Sequence, residues 1–209
     1  DSAHQPIHPV SGDKVLVVSA GKFGERWASL ARAFGLDVTV LDAPYGCTVT
    51  PEEVAETLAA NSDIQGVFTQ ATESSTGVSH DIQRMGEAVR KTEAIFVVDA
   101  ITGLGTSHID IDGWGLDIVV GGSQKALMIP PGLAFAAVSE KAWIRQQRAQ
   151  GSYFYFDFRK YQVAGESGES PFTPAISLLL GLDSTLAYIR EIGPKKLVEN
   201  AQLLARATR

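Results

Sequence analysis

The chain has 209 residues, 44% of them hydrophobic and 20% charged, enough to bury a core as one large domain or as a domain with an appendage. A net charge of -6, with no run of lysine or arginine forming a stripe, argues against nucleic acid or an anionic membrane surface as the main partner and leaves small molecules and other proteins. The single cysteine, Cys47, excludes an internal disulfide and a cysteine-built metal site, and reads as a small half-buried hydrophobe in a reducing compartment.

The opening "DSAHQPIHPVSGDK" lacks the charged-then-apolar plan of a signal peptide, and residues 1–11 read as a flexible lead. "KVLVVSA" (14–20) is a short β-branched run and reads as a buried strand. Trp27, Leu30, Ala31 and Phe34 recur at helical spacing, Gly35 is placed to end that helix, and "LDVTVL" resumes strand character, giving a β-α-β unit. Thr50, Pro51 and Glu53 predict a helix start with N-cap, N1 proline and capping-box glutamate, with Val54 and Leu58 on one face. "GVFTQA" (66–71) reads as strand, and Ser79 is placed to cap a helix carrying Ile82, Met85 and Val89. "AIFVVDA" (94–100) follows as a strand apolar on both faces, with further strands in "LDIVVGGS" and "GLAFAAVS". The alternation predicts an α/β fold, a mostly parallel sheet sandwiched by helices, spanning residues 12–174.

Past Glu140 a helix runs through Trp143, an aromatic and polar stretch fills residues 151–174, and a long helix covers 175 to about 192. Gly193-Pro194 breaks it, and a last helix runs toward Arg209, so residues 175–209 read as a connection toward a further domain. Apolar runs such as "ISLLLGL" are too short to span a bilayer, and the expectation is a soluble cytoplasmic protein. The four histidines stand apart from carboxylates and cysteines at ligand spacing, so no metal site is expected.

Ligands of open α/β sheets bind at the carboxyl ends of the strands, and here three strands run out into "QATESSTG", "VVDAITGLG" and "VVGGSQKAL". Asp99 closes an apolar run, where a carboxylate is costly without a positive partner or hydrogen bonds. Lys125, flanked by Gly121, Gly122, Ala126, Leu127 and Met128, reads as partly buried, which favours the neutral, nucleophilic amine. The alternatives are a structural Asp99–Lys125 ion pair or an Asp99 that caps a turn with Thr102, and "ESSTG" is equally open to ordinary turn chemistry.

"VVDAITGLG" followed by "GLDIVVGGSQKALMIPPGLAFAAVS" resembles the core of class V, fold-type I pyridoxal-phosphate aminotransferases, in the alanine-glyoxylate and serine-pyruvate branch. "GKFGERW", "ESSTGV" and "PFTPAIS" fall in that family's order. The resemblance implies pyridoxal 5'-phosphate as cofactor, with Lys125 forming the Schiff base and shuttling protons, and Asp99 pairing with the pyridinium nitrogen. It further implies that Ser74 bonds near the ring hydroxyl, that Phe23 stacks on the ring face, and that Gln124 and Ser123 contact the phosphate. Plain core packing is the competing reading of Phe23. Thr173 in "PFTPA" matches a residue reaching the phosphate of a neighbouring subunit, which implies a homodimer with a shared site. The implied reaction is ping-pong transfer of an amino group from a small amino acid such as alanine or serine to glyoxylate or pyruvate; the competing reading is a non-catalytic binding module derived from such an enzyme.

The family's Gly-rich phosphate turn has no counterpart in "DSAHQPIHPVSGDK", its arginine-bearing small domain is absent, and Ser170 stands where a tyrosine often accompanies the threonine, so the chain reads as the middle of such an enzyme. Charge-assisted hydrogen bonds contribute roughly 1.5–3 kcal/mol each, and losing two weakens cofactor affinity on the order of a hundredfold. The purified chain is therefore expected to bind pyridoxal phosphate weakly and to show no transamination. Spectroscopic titration checks this, and tight stoichiometric binding with turnover of alanine and glyoxylate would refute it.

Overall fold

The computed structural model describes residues 12–147 and 154–209; the lead 1–11 lies outside them, as does Tyr153 at the start of the "YFYF" run. The first β-branched run forms β1 (Lys14–Ser19). Successive strand side chains point to opposite faces, so Leu16 and Val18 enter one apolar cluster and Val15 and Val17 another. The helix that follows, α1 (Lys22–Ala33), leads past Gly35, whose φ of 78° suits glycine, into β2 (Asp37–Asp42), parallel to β1.

The buried face of α1 differs from the one its large residues predict: Leu30 and Phe34 are 47% and 68% exposed. The cause is close approach. A Cβ on Gly24 would lie 2.6 Å from the Cα of Ser19, so the helix meets the sheet through Gly24, Ala28 and Ala31, and its larger side chains are turned aside.

The second helix, α2 (Pro51–Ala60), opens with the predicted capping box: Glu53 N donates to Thr50 Oγ1 at 3.2 Å and Thr50 N to Glu53 Oε2 at 2.7 Å, with Val54 and Leu58 buried. Cys47, in the loop before it, is exposed, contrary to the half-buried reading. From β3 (Gly66–Gln70) the chain makes a small antiparallel pair, β4 (Thr72–Glu73) and β5 (Val78–Ser79), around the "SSTG" turn. Because Ser79 is taken up in β5, the cap of α3 (Ile82–Val89) falls to Asp81, whose side chain accepts from Arg84 N at 3.1 Å.

Then come β6 (Ile95–Asp99), β7 (Ile118–Gly122), β8 (Ala134–Val138) and α4 (Glu140–Gln146). A helix, α5 (Phe158–Glu166), lies within the aromatic and polar stretch, for which the sequence reading named no element. Its signal was a cap rather than a periodicity: the buried Asp157 accepts from Arg159 N at 3.1 Å, while the helix itself buries no residue. The chain continues as α6 (Ile176–Ile192) and α7 (Pro194–Thr208), separated at Gly193-Pro194 as predicted. Among the described residues no helix is long and apolar enough to cross a membrane.

The sheet has the order β2-β1-β3-β6-β7-β8, parallel throughout except for β8, which runs antiparallel to β7. Val54, Leu58, Met85 and Val89 of α2 and α3 pack with Leu16, Val18, Phe96 and Val98 on one face. Ala28 and Ala31 of α1 pack with Val15 and Val17 on the other, where Ala142 of α4 meets Ile95 and Val97. The strand amino ends are held by the buried Asp117, which accepts from Phe96 N at 2.9 Å and Ser139 Oγ at 2.8 Å. The opposite, carboxyl edge is thereby left to the loops.

One buried histidine makes stability depend on pH. His80 Nδ1 lies 2.8 Å from the Gln70 carbonyl, so Nδ1–H donates, and Nε2 is buried without a partner among the described residues. Burial pushes its pKa below the usual range, against the smaller opposing pulls of that carbonyl and of Glu73. The unfolded chain therefore binds this proton at a higher pH than the folded one. Stability that is complete above about pH 6.5 is lost as pH falls below it. Urea midpoints at pH 7 and pH 5 should fall more for the wild type than for His80→Gln, and equal falls would show that His80 is not the group responsible.

Candidate functional site

Four strands end side by side at the carboxyl edge, and their loops are cross-linked. After β1, Lys22 N donates to Ser75 Oγ at 2.9 Å, and Phe23 N and Gly24 N both donate to Glu73 Oε2 at 3.0 Å. Glu73 Oε1 accepts from Ser75 N at 3.0 Å and Ser75 Oγ at 2.6 Å, so a fully buried carboxylate holds four donors at the N-terminus of α1, a helix without a side-chain cap of its own. The β3 loop is tied to the β6 loop through Ser74 Oγ and Thr102 Oγ1, 2.7 Å apart.

Asp99, the last residue of β6, is half-buried. Its Oδ2 accepts from Trp27 Nε1 at 3.0 Å and its Oδ1 from Ile101 N at 3.0 Å. The turn-capping alternative is thus met at Ile101, not at Thr102, and the ion-pair alternative fails: among the described residues Asp99 and Lys125 share no salt bridge.

Beyond β7, Ser123 is fully buried and spends its hydroxyl inside the loop, donating to the Pro130 carbonyl at 2.8 Å and accepting from Leu133 N at 3.2 Å. It is a brace for the lysine loop, which departs from the phosphate role implied by resemblance. Lys125 opens a tight turn in which Met128 N donates to the Lys125 carbonyl at 3.0 Å, and Met128 has a φ of 57°, rare for a bulky side chain. The lysine side is exposed, which corrects the expectation of partial burial; the burial inferred from its flanks belongs to half-buried Ala126 and Leu127.

Gln124 is exposed beside it. Phe23 is half-buried on the first turn of α1, in none of the three apolar clusters among the described residues, with the Arg26 guanidinium 5.3 Å from its ring centroid, so plain core packing does not describe it. Thr173 is exposed on the segment between α5 and α6, and among the described residues no hydrogen bond joins it to this group. A cavity of about 190 Å³ between α1 and α4 is lined mainly by apolar side chains such as Phe68, Ile95, Val97 and Val138 and takes in none of Ser74, Asp99 or Lys125. Among the described residues no group of three or more His, Cys, Asp or Glu could hold a metal ion.

Two residues were missed. The role of Glu73 at α1 carries no local signal, because its two donors on that helix lie 49 and 50 positions away; Trp27 reads from the sequence only as part of a helix face. Together the edge offers an amine, a clamped carboxylate, paired hydroxyls and an aromatic face, groups that fit the aldehyde, ring nitrogen, ring hydroxyl and ring face of an electrophilic pyridine.

The model of the aminotransferase class-V family matches residues 3–209. The chain belongs to the class-V aminotransferases. The pyridoxal-phosphate cofactor follows from this family membership. The soluble hydrogenase 42 kDa subunit of Anabaena cylindrica is 39% identical over 201 residues, covering 95% of this chain and 52% of that protein. The serine-glyoxylate aminotransferase of Methylorubrum extorquens is 33% identical over 207 residues, again 95% and 52%. The crystal structure of alanine-glyoxylate aminotransferase from Nostoc sp. superposes with a TM-score of 0.86 at 28% identity, covering 91% of this chain and 51% of that one. The chain thus spans about half the length of the curated relatives it matches.

Alanine at position 73 would strand the buried N–H of Gly24 and the half-buried N–H of Phe23 at the foot of α1, and would release the N–H of Ser75 in the turn between β4 and β5. Hydrogen bonds to a charged group are worth about 1.5–3 kcal/mol each, so Glu73→Ala is expected to cost more than about 3 kcal/mol of unfolding free energy. Urea denaturation measures it, and a loss below about 1 kcal/mol would show that water replaces the carboxylate.

Proposed function

We propose that this edge binds pyridoxal 5'-phosphate and that the protein transfers the amino group of a small amino acid, alanine or serine, to glyoxylate or pyruvate in a ping-pong reaction. The observation carrying the reading is Asp99: a carboxylate fixed at two points at the end of β6, whose neighbour β7 leads directly into the lysine loop. The serine-glyoxylate and alanine-glyoxylate relatives support this choice of donor and acceptor.

Bound there, the cofactor supplies an electrophilic aldehyde and an electron-withdrawing ring. Lys125 would hold the cofactor at its aldehyde carbon and, as a free amine, would carry the proton between the substrate Cα and that cofactor carbon. The Asp99 carboxylate accepts the ring N–H and keeps the nitrogen protonated. Ser74 would donate at the ring hydroxyl, Phe23 would cover one ring face, and Gln124 would contact the phosphate. The exposure of Thr173 suits a residue that serves the phosphate of a second copy, in a homodimer whose covering face also desolvates Lys125.

One observation favours a second reading, a non-catalytic binding module: this chain by itself leaves Lys125 exposed. Borohydride reduction in the presence of pyridoxal phosphate, followed by peptide mass spectrometry, separates the two. The reduced adduct should map to Lys125 and vanish in Lys125→Ala with the fold unchanged; an adduct on another lysine, or one that persists in the variant, overturns the assignment.

A further inference from the structure

The contact between Trp27 and Asp99 has a role that packing alone does not require. We infer that Trp27 is a positioning residue for Asp99: its indole N–H fixes the carboxylate so that the oxygens' remaining lone pairs are presented to the ring nitrogen, an inference that rests on the cofactor reading above.

Trp27 is itself firmly placed. Its ring centroid lies 5.5 Å from that of Phe68, and it packs against both apolar clusters on the α1 face of the sheet. The helix carrying it is seated by Gly24 against β1 and tied at its first turn to Glu73. Gly24 and Trp27 are three positions apart and so share a helix face. The helix lays Gly24 over Gln70 and Trp27 over Asp99, and these two covered residues are themselves register partners on adjacent strands.

The strand side offers Asp99 nothing equivalent. Gln70 is 1% exposed, and neither atom of its amide has a partner among the described residues, so it does not donate to the carboxylate beside it. Without the indole, only Ile101 N would hold Asp99, and a single donor leaves the carboxylate free to turn. Phenylalanine would fill the same apolar space. What tryptophan adds is the N–H.

Trp27→Phe keeps the ring and deletes the donor, and two compounds separate positioning from packing: pyridoxal phosphate and its analogue in which a C–H replaces the ring nitrogen. Only the first engages Asp99 through the nitrogen. Titrating both, up to millimolar, the variant should lose about tenfold in affinity for pyridoxal phosphate, the weight of one charge-assisted hydrogen bond, and nothing for the analogue. Equal losses for both, or none, overturn the positioning role while leaving the cofactor reading intact. A wild type that binds neither compound overturns the cofactor reading and this inference with it.

A second measurement, on the ligand-free chain, decides the matter if Trp27→Phe does not fold. The Trp27 indole N–H resonance, assigned by NMR, should shift and exchange faster with solvent in Asp99→Ala. An indole signal indifferent to that substitution means that the contact is not there to position anything.

Discussion

A carboxylate with no exposure to water holds the foot of α1. Glu73 could not be buried in that position without donors, and it has four: two backbone N–H groups of the first helical turn, and the backbone and hydroxyl of Ser75. A helix N-terminus needs acceptors as much as a buried carboxylate needs donors, and here each supplies the other across roughly fifty residues of sequence. The arrangement also explains Gly21, where a Cβ would come within 2.5 Å of Ser75 Oγ and 2.7 Å of the Glu73 side chain.

Much of the site depends on that junction. With its first turn fixed, α1 sets Phe23 near the loop that carries Ser74 and, one turn on, Trp27 over Asp99. The neighbouring elements then lean on each other: Ser74 of the turn beyond β3 meets Thr102 of the loop after β6, and Gly121 in β7 is bare enough for Leu104 of that loop to approach. The lysine loop has a separate anchor in Ser123, so Lys125 can stand exposed without its turn being loose. Charge and polarity gather at this edge, whereas at the opposite edge Asp117 and Lys141 bind strand backbone and side chains in a structural role.

What could be read from the sequence was whatever has a short-range cause. The strand runs, the capping box at Thr50 and Glu53, the break at Gly193-Pro194, and the carboxylate and lysine at neighbouring strand ends all follow from periodicity, caps and breakers a few residues long. The errors share the opposite cause. Leu30 and Phe34 recur at helical spacing with Trp27 and Ala31, but a helix that must approach a strand closely buries its small residues instead. Ser79 has cap chemistry and lost its place to a strand pairing with Thr72. The small and apolar neighbours of Lys125 point to partial burial, although a tight turn can half-bury one flank and leave the lysine itself in solvent. Glu73 and the Trp27 donor were invisible because their meaning lies in partners distant in sequence.

The central claim is that one prearranged edge presents an amine, a clamped carboxylate and an aromatic face to a single pyridine ring. A crystal structure of the chain grown with pyridoxal phosphate tests it most directly. The account predicts cofactor density continuous with Lys125 Nζ, the ring nitrogen at Asp99 with the Trp27 contact retained, and the ring against Phe23. Density joined to a different lysine, or a ring whose nitrogen faces away from Asp99, would contradict it.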